Sequence, residues 1–209
     1  MIATKGGVTR PGGQWGRDGS PAHLRQACDE SLRALGVERV DLYQLHAPDP
    51  RVPFEESVGA CAGLLREGKV AAVGLSNVSL EQIRAAETIV PITSVQNRYS
   101  PWDRGPEETG IIRYCDENHI TFLPYSPVGG RRKVQLLREN AELRRIGERL
   151  GATPEELVLA WVLGASPSVV AIPGASRAES IESSVRAGGL RLDGETRAEL
   201  EAAFRSLPD

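Results

Sequence analysis

Six polar or aromatic side chains stand at the ends of apolar runs in this 209-residue sequence, where a chain leaving a strand can present them to a ligand. A lysine and a histidine end two of the runs and together could place positive charge and a proton donor beside an electron-rich oxygen. Hydroxyl and amide groups end two others and suit hydrogen bonding to an amide, while a tyrosine ring offers a face to a planar ligand. In chain order these residues are Lys5, His46, Ser76, Asn77, Gln96 and Tyr125.

The charged pair is open to two interpretations. Lys5 ends an apolar strand, so its ammonium lies beyond the sheet, either as an exposed strand end or beside an acid or phenol that partners it. His46 ends the sequence DLYQLH, and period-two alternation places its ring on the same side as Gln44 and Leu42, facing the interior. A histidine there is either structural or a hydrogen-bond donor to a substrate carbonyl.

The neutral groups also have a functional and a structural interpretation. Ser76 and Asn77 follow VAAVGL and Gln96 follows ITSV, where they suit a carboxamide or else cap the next helix. Ser79 is the better cap candidate, which leaves Asn77 free of that task. Tyr125 lies in LPYSPVGG, where its ring either faces a planar ligand or packs in the core.

Short β-rich runs alternate with longer helical patterns along the chain. They predict strands at residues 2–5, 40–46, 70–77, 92–96, 120–125 and 169–173. Continuous apolar runs are typical of parallel strands covered by helices, and no G-x-G-x-x-G turn marks a doubly wound sheet. The pattern therefore favours the α/β class, a (β/α)8 barrel of the TIM type with six of its eight units, whose catalytic groups lie at the carboxyl ends of strands.

Local signals mark several helix starts. Ser20 and the following proline predict a helix over Pro21–Leu35, with Leu24 and Leu35 pointing inward. Two capping boxes are predicted, one formed by Ser79 with Gln82 and one by Thr153 with Glu156. The glycine-rich loop of residues 6–19 is either a flap that faces the substrate or a floppy connector.

Composition bounds the class of protein. Hydrophobic residues make up 40% of the chain and charged residues 25%, which predicts one domain over residues 1–209. The net charge of −3 argues against nucleic acid as a partner, and no apolar run reaches the roughly 20 residues of a membrane span. Three widely spaced cysteines predict no metal site, and the N-terminus lacks a signal peptide, so we expect a cytoplasmic protein.

Six segments taken together carry a resemblance to a known family. They are IATKGG, VDLYQLHAPDP, GKVAAVGLSN, SVQNRYSPWDR, LPYSPVGG and VAIPGASRAESI. In this order they resemble the aldo-keto reductase family of NADPH-dependent barrel enzymes, and the likeness spans essentially the whole chain. The resemblance implies hydride transfer from NADPH to a small aldehyde or ketone, with an enzyme acid giving a proton to the carbonyl oxygen.

The same resemblance implies a role for each candidate residue. Lys5 would lower the pKa of the acid, and His46 would polarise and orient the carbonyl. Tyr125 would stack on the nicotinamide ring, and residues 126–132, beginning with Ser126, would border the pyrophosphate. The carboxamide would be held by Ser76, Asn77 and Gln96. The adenosine phosphate would be held near a helix start by Gly174, Ser176, Arg177 and Ser180.

The chain departs from the family pattern in two respects. Ser183 and Ser184 replace a usual Glu-Asn pair, and Arg177 is the only cation between Ile172 and Ser184, so the preference for NADPH over NADH depends on Arg177. The sequence resembles barrel strands 3 to 8, whereas the family's general-acid tyrosine and the aspartate that pairs with the lysine lie on the first two strands. Tyr43 is a poor replacement for the acid, because its parity opposes that of His46.

Two hypotheses follow from these departures. The first is an N-terminally truncated reductase, weak in this form, whose activity belongs to a longer form; a genuine short relative is the other interpretation of its length. The second is a non-catalytic nicotinamide-nucleotide-binding or assembly subunit derived from the family. Open strand edges would favour self-association in either case.

Overall fold

The computed structural model describes residues 1–208, in which strands and helices alternate. The strands are β1 (Ala3–Gly6), β2 (Val8–Thr9), β3 (Gly16–Arg17), β4 (Leu42–Leu45), β5 (Val73–Ser76), β6 (Ile92–Gln96) and β7 (Thr121–Phe122). The helices are α1 (Pro21–Leu35), α2 (Phe54–Arg66), α3 (Leu80–Glu87), α4 (Gly105–Glu108), α5 (Ile111–Glu117), α6 (Arg131–Glu139), α7 (Ala141–Leu150), α8 (Pro154–Leu163), α9 (Ala178–Gly189) and α10 (Gly194–Arg205). None of the helices within these residues is long and apolar enough to cross a membrane.

Five strands form one sheet, in the order β1-β4-β5-β6-β7. The pairs β1 with β4, β4 with β5 and β5 with β6 are all parallel. Helices α1, α2 and α3 connect these strands in turn, so each connection is a strand-helix-strand crossover. The α/β class with a parallel sheet, as predicted, is confirmed.

The described chain forms two compact units. The first unit comprises Met1–Asn97 and Asn118–Thr121 and contains β1 to β6 with α1 to α3. The second unit comprises Arg98–Glu117 and the chain from Phe122 onward, and contains α4 to α10. The organisation of the whole chain as one domain stays a prediction.

Helix α1 begins and ends as the sequence predicts. Ser20 caps its first turn by accepting a backbone N–H bond of 3.3 Å, and Gly36 ends it in the left-handed conformation with φ of 65°. Leu24 is fully buried, as expected. The prediction that Leu35 points inward is wrong, since this side chain is 46% exposed. Leu35 is the last residue of the helix, and Gly36 turns the chain away directly after it.

The loop of residues 6–19 is ordered, because β2 and β3 pair within it as an antiparallel hairpin. The buried carboxylate of Asp49 holds its end: it accepts three hydrogen bonds from Arg51 and one of 3.1 Å from the Gly19 N–H. The Arg51 guanidinium also donates to the Arg17 carbonyl. These bonds, above all those from Arg51, hold the pKa of Asp49 well below its usual range. A floppy connector is therefore the wrong description, and a flap facing substrate stays a prediction.

Both predicted capping boxes are confirmed. In the first unit, Ser79 accepts a 3.3 Å bond from the Gln82 N–H and donates its own N–H to the Gln82 side chain at 3.0 Å. In the second unit, Thr153 and Glu156 make the same reciprocal pair at 3.3 and 2.9 Å. The first box starts α3 directly after the polar residues that end β5.

An aromatic cluster forms the core of the second unit. The ring of Trp161 stacks on Tyr99 with centroids 5.2 Å apart and meets the edge of Phe204 at 5.1 Å. The indole N–H donates to Glu201 at 2.8 Å, and Arg104 pairs with the same carboxylate while lying over the indole ring. These contacts fix the loop that follows β6 against α8 and α10.

The sixth predicted strand, residues 169–173, does not form. Only Val169 makes a β-bridge, and its partner is Phe122. The Phe122 N–H donates to the Ser168 carbonyl, and the Phe122 carbonyl accepts from the Val170 N–H, both at 2.9 Å. The next bond of a parallel ladder would need an N–H from Pro124, which proline lacks. For the same reason β7 is shorter than the predicted residues 120–125.

Candidate active site

The first unit gathers its candidate residues into two adjacent rows across the sheet. Residues paired in register share a face, and every second residue along a strand returns to that face. The inner row crosses β1, β4, β5 and β6 and consists of Lys5, Gln44, Gly74 and Ser94. The end row lies at the carboxyl ends of β4, β5 and β6 and consists of His46, Ser76 and Gln96.

Lys5 and His46 lie on neighbouring parallel strands. Lys5 pairs with Gln44 in the register of β1 and β4, and the His46 N–H donates to the Gly6 carbonyl at 2.8 Å. Both side chains are half-buried. Within residues 1–208 no carboxylate lies within ion-pair distance of the Lys5 ammonium. The structure therefore brings these two predicted residues to neighbouring strand ends.

Burial shapes the electrostatics of this pair. Removal from water lowers the pKa of the Lys5 ammonium. Burial also lowers the pKa of His46, and the positive charge of Lys5 lowers it further. Both effects favour the neutral form of His46, in which one ring nitrogen donates its N–H and the other accepts.

Asn77 ties the ends of three strands together. Its backbone is left-handed, with φ of 57°, and its N–H donates to the Gln96 carbonyl at 3.0 Å. Its side-chain amide donates to the His46 carbonyl at 2.9 Å and to Ser76 Oγ at 3.1 Å. Ser79 caps α3 as predicted. The Asn77 amide is nevertheless engaged, since it donates to both the His46 carbonyl and Ser76 Oγ. It positions its neighbours as well as presenting polar atoms at this end of the sheet.

Ser76 and Gln96 end neighbouring strands and are paired in register. Ser76 is 1% exposed and Gln96 is 7% exposed, so both are held inside the first unit. The amide nitrogen of Gln96 lies 3.4 Å from the side-chain oxygen of Gln44. A hydroxyl and an amide thus stand side by side, which is the arrangement that the sequence predicts.

Tyr43 faces away from both rows. Its hydroxyl donates to the Leu24 carbonyl in α1 at 3.0 Å, and the side chain is fully buried. Burial raises the pKa of this phenol far above its ordinary value. The prediction that Tyr43 faces the helices is confirmed, and its direction agrees with the expectation that it is a poor replacement for the acid.

In the second unit, Tyr125 begins a tight turn. Arg98 bridges it in a parallel β-contact, and the Arg98 guanidinium lies 5.5 Å from the centre of its ring. Ser126 follows with a left-handed φ of 51°, and its carbonyl accepts a 2.8 Å bond from the Gly129 N–H. Gly130 precedes the first residue of α6. The segment of residues 126–132 is thus a turn followed by a helix start.

The segment of residues 174–180 leads into α9, and Arg177 is the residue before its first turn. A cavity of about 340 Å³ opens here, lined by Gly174, Arg177 and Ser180 together with Arg138 and Arg186. Ser176 is exposed on the same segment. Among the described residues, Arg138 is paired with Glu155 and Arg186 with Glu156, whereas Arg177 has no carboxylate within ion-pair distance.

Sequence reasoning overlooked several partners of these residues. Ser94 anchors Gln44, Arg98 lies over Tyr125, and Arg186 lines the cavity beside Arg177. The spacing of Ser94 two residues before Gln96 was the available signal for the first. The contact of Arg98 with Tyr125 joins residues distant in sequence and leaves no local pattern, and the cavity shared by Arg177 and Arg186 depends on the fold.

Comparison with known proteins identifies the family of this chain. A family model described as the aldo/keto reductase family matches residues 1–205. The chain belongs to the aldo/keto reductase family. An uncharacterised oxidoreductase of Schizosaccharomyces pombe is 36% identical to it over 207 residues, which is 99% of this chain and 66% of that protein. The chain thus spans about two thirds of the length of this relative.

Two solved aldo/keto reductase structures share its fold. A glycerol dehydrogenase from Gluconobacter oxydans matches with a TM-score of 0.88 and 26% identity, covering 100% of this chain and 73% of that one. An aldo/keto reductase from Klebsiella pneumoniae, solved with NADP and acetate, matches with a TM-score of 0.81 and 26% identity, covering 97% and 69%. The predicted fold class, of the (β/α)8 barrel type, is confirmed by these likenesses.

Proposed function

We propose that this oxidoreductase uses NADPH to reduce the carbonyl group of small aldehydes or ketones to alcohols. The observation that carries the proposal is the pair Lys5 and His46 on adjacent parallel strands, both with a lowered pKa and both half-buried. Membership of the aldo/keto reductase family supports the reaction class. The NADP bound by the Klebsiella relative supports the choice of cofactor.

The end row of the first unit fits the amide end of a nicotinamide. Ser76 and Gln96 offer a hydroxyl and an amide side by side, and Asn77 holds the adjacent backbone in place. A carboxamide has both donors and an acceptor and is matched by such groups. When bound there, NADPH supplies the hydride, while these side chains fix the orientation of the ring.

The second unit, taken by itself, offers groups of the kinds that bind an aromatic ring and a phosphate. The ring of Tyr125 suits stacking on a planar ring. The cavity beside residues 174–180 has a guanidinium without a carboxylate partner, that of Arg177, close to the start of α9. A phosphate would find there both a charged donor and the backbone N–H groups of a helix start.

Lys5 and His46 would hydrogen-bond and polarise the carbonyl oxygen of the substrate. The neutral His46 ring can donate one N–H bond to that oxygen and so orient the carbonyl. The Lys5 ammonium adds positive potential in a partly desolvated place, where charge interactions are stronger than in water. Both groups therefore stabilise negative charge as it develops on the oxygen, and a proton from solvent water completes the alcohol.

Turnover by the purified 209-residue chain tests this proposal. We expect loss of NADPH absorbance in the presence of a short-chain aldehyde, and a rate at least about a hundredfold lower in Lys5→Met. Lys69→Met is the matched control, because Lys69 lies between α2 and β5, pairs with Asp29 and belongs to neither row. Slow turnover is expected of this form, and binding of NADPH without reduction of any carbonyl compound would favour the non-catalytic subunit instead. A Lys5→Met variant of unchanged rate would contradict the role of Lys5.

A further inference from the structure

Three buried amide and hydroxyl groups form a chain of hydrogen bonds behind the carboxyl ends of β4 and β6. Gln44 is 1% exposed, Ser94 is 2% exposed and Gln96 is 7% exposed. The Gln96 amide nitrogen donates to Gln44 Oε1 at 3.4 Å, and the Gln44 amide nitrogen donates to Ser94 Oγ at 3.1 Å. The bonds run in one direction, from Gln96 through Gln44 to Ser94.

This chain of bonds crosses a strand that carries no side chain at that point. Gln44 lies on β4 and Ser94 on β6, and Gly74 of β5 pairs with both of them in register. A Cβ atom at Gly74 would stand 2.2 Å from Ser94 Oγ and 3.1 Å from Gln44 Cγ. Glycine therefore leaves the space through which Gln44 reaches Ser94.

Packing alone does not explain an amide at this position. Its neighbours along β4, which are Leu42, Tyr43 and Leu45, are all buried and mainly apolar. Burying an amide is unfavourable unless it is hydrogen-bonded, and an apolar side chain would fill the same volume without that requirement. The two bonds made by Gln44 therefore point to a role for its amide rather than for its bulk.

The bond from Gln96 to Gln44 decides whether the nitrogen or the oxygen of the Gln96 amide remains for a ligand. With its nitrogen held by Gln44, Gln96 turns its carbonyl oxygen to the open side, where it can only accept. We propose that Gln44, anchored by Ser94, is a positioning residue that makes Gln96 an acceptor for the amino group of a carboxamide-bearing cofactor. This inference rests on the proposed use of NADPH.

Ligands that differ only in that amino group provide the test. In the acetylpyridine analogue of NADP a methyl group replaces the carboxamide amino group, so the analogue cannot donate to Gln96. Calorimetry on the full chain should show NADP bound about five- to tenfold more tightly than the analogue, as for one hydrogen bond. Gln44→Met should abolish this preference, because the Gln96 amide is then free to turn over.

Two further measurements separate positioning from a merely structural role. The adenosine bisphosphate fragment of NADP, which lacks the nicotinamide, should bind Gln44→Met as it binds the wild type. Gln44→Glu should keep the preference, since a carboxyl oxygen accepts from the Gln96 amide nitrogen whether the group is neutral or ionised beside Lys5. If Gln44→Met fails to fold by circular dichroism, Ser94→Ala takes its place and should reduce the preference.

Each of the remaining outcomes has a definite meaning. Equal binding of NADP and the analogue by the wild type would overturn the inference, as would an undiminished preference in both Gln44→Met and Ser94→Ala. Parallel weakening of NADP and of the adenosine fragment would assign Gln44 a structural role only. A folded wild-type chain that binds no NADP would overturn the proposed function itself, together with this inference.

Discussion

At the scale of single residues, His46 provides a direct measure of the field around Lys5. Burial lowers the pKa of His46, and the charge of Lys5 lowers it further. We expect its imidazole to titrate below the ordinary value of about 6.5, and the midpoint to rise toward that value in Lys5→Met. Proton NMR of the His46 ring during a pH titration measures both. Lys69→Met should leave the midpoint unchanged.

The sign of this shift also predicts how pH affects folding. His46 in the folded chain binds its proton less readily than in the unfolded chain, so the unfolded state gains protons first. Lowering the pH through about 6.5 should therefore favour unfolding through this group, and Lys5→Met should reduce the effect. A His46 midpoint that does not move in Lys5→Met would show that the lysine charge does not reach the ring.

Cofactor choice is a second prediction at the scale of one side chain. Arg177 borders the cavity at the start of α9 and has no carboxylate partner among the residues described. Arg177→Ala should weaken NADPH binding about tenfold to a hundredfold, as expected for loss of one charge-assisted bond of roughly 1.5–3 kcal/mol, and leave NADH binding nearly unchanged. Calorimetric titration with both cofactors measures the difference.

Arg138 supplies the matched control for that experiment. It lines the same cavity, but its guanidinium is already bonded to Glu155 at 2.6 Å. Arg138→Ala should therefore change NADPH affinity much less than Arg177→Ala. Equal weakening of NADPH and NADH by Arg177→Ala would show that Arg177 does not contact the phosphate that distinguishes the two.

The sequence predicted the direction of a side chain well where its position along a strand decides which face of the sheet it occupies. Parity alone placed His46 and Gln44 on one face and Tyr43 on the other, and the hydrogen bond from Tyr43 to Leu24 agrees. It could not predict the bonds of Asn77, because these depend on a left-handed backbone and on a carbonyl from another strand. Tertiary partners of that kind have no periodic signal.

At the scale of elements, the cap of α8 allows a clean measurement of stability. Thr153 and Glu156 satisfy backbone N–H groups at the start of this largely buried helix. Thr153→Ala should lower the free energy of unfolding by about 1 kcal/mol, within a range of roughly 0.5–2, as measured by urea denaturation. Thr153→Ser retains the hydroxyl and should stay close to the wild type. A loss as large in the serine variant would assign the effect to packing of the threonine methyl group.

Elements with local signals were predicted better than elements that need a partner. The cap at Ser20 and both capping boxes could be recognised within a few residues of sequence, and all are present. The strand expected at residues 169–173 needed a ladder of bonds from a neighbour, and Pro124 in that neighbour interrupts it. The β-propensity of residues 169–173 carries no information about whether residue 124 has a backbone N–H to donate.

At the scale of the molecule, an apolar patch on the second unit predicts the solution behaviour of the chain. The patch consists of Ile181 and Val185, which are 57% and 72% exposed and line one cavity together with Leu159 and Leu163. Exposed apolar groups that adjoin one another favour association. We expect light scattering to rise with protein concentration, and the double change of Ile181→Lys with Val185→Lys to reduce that rise severalfold.

Ile89 allows a control for the added charge. It is 36% exposed on the first unit, away in sequence from the patch, so Ile89→Lys adds a lysine without altering Ile181 or Val185. Scattering by this variant should match that of the wild type. An equal reduction by Ile89→Lys would attribute the effect to net charge rather than to the patch.

The route of the chain through its two compact units has a consequence for synthesis on the ribosome. Residues 118–121 belong to the first unit, although residues 98–117, which precede them, belong to the second. Ile120, within that short return, is 1% exposed and so contributes to the core. A nascent chain that has emerged only as far as Asn97 therefore still lacks part of its first unit, so this unit cannot be completed before translation of the second has begun.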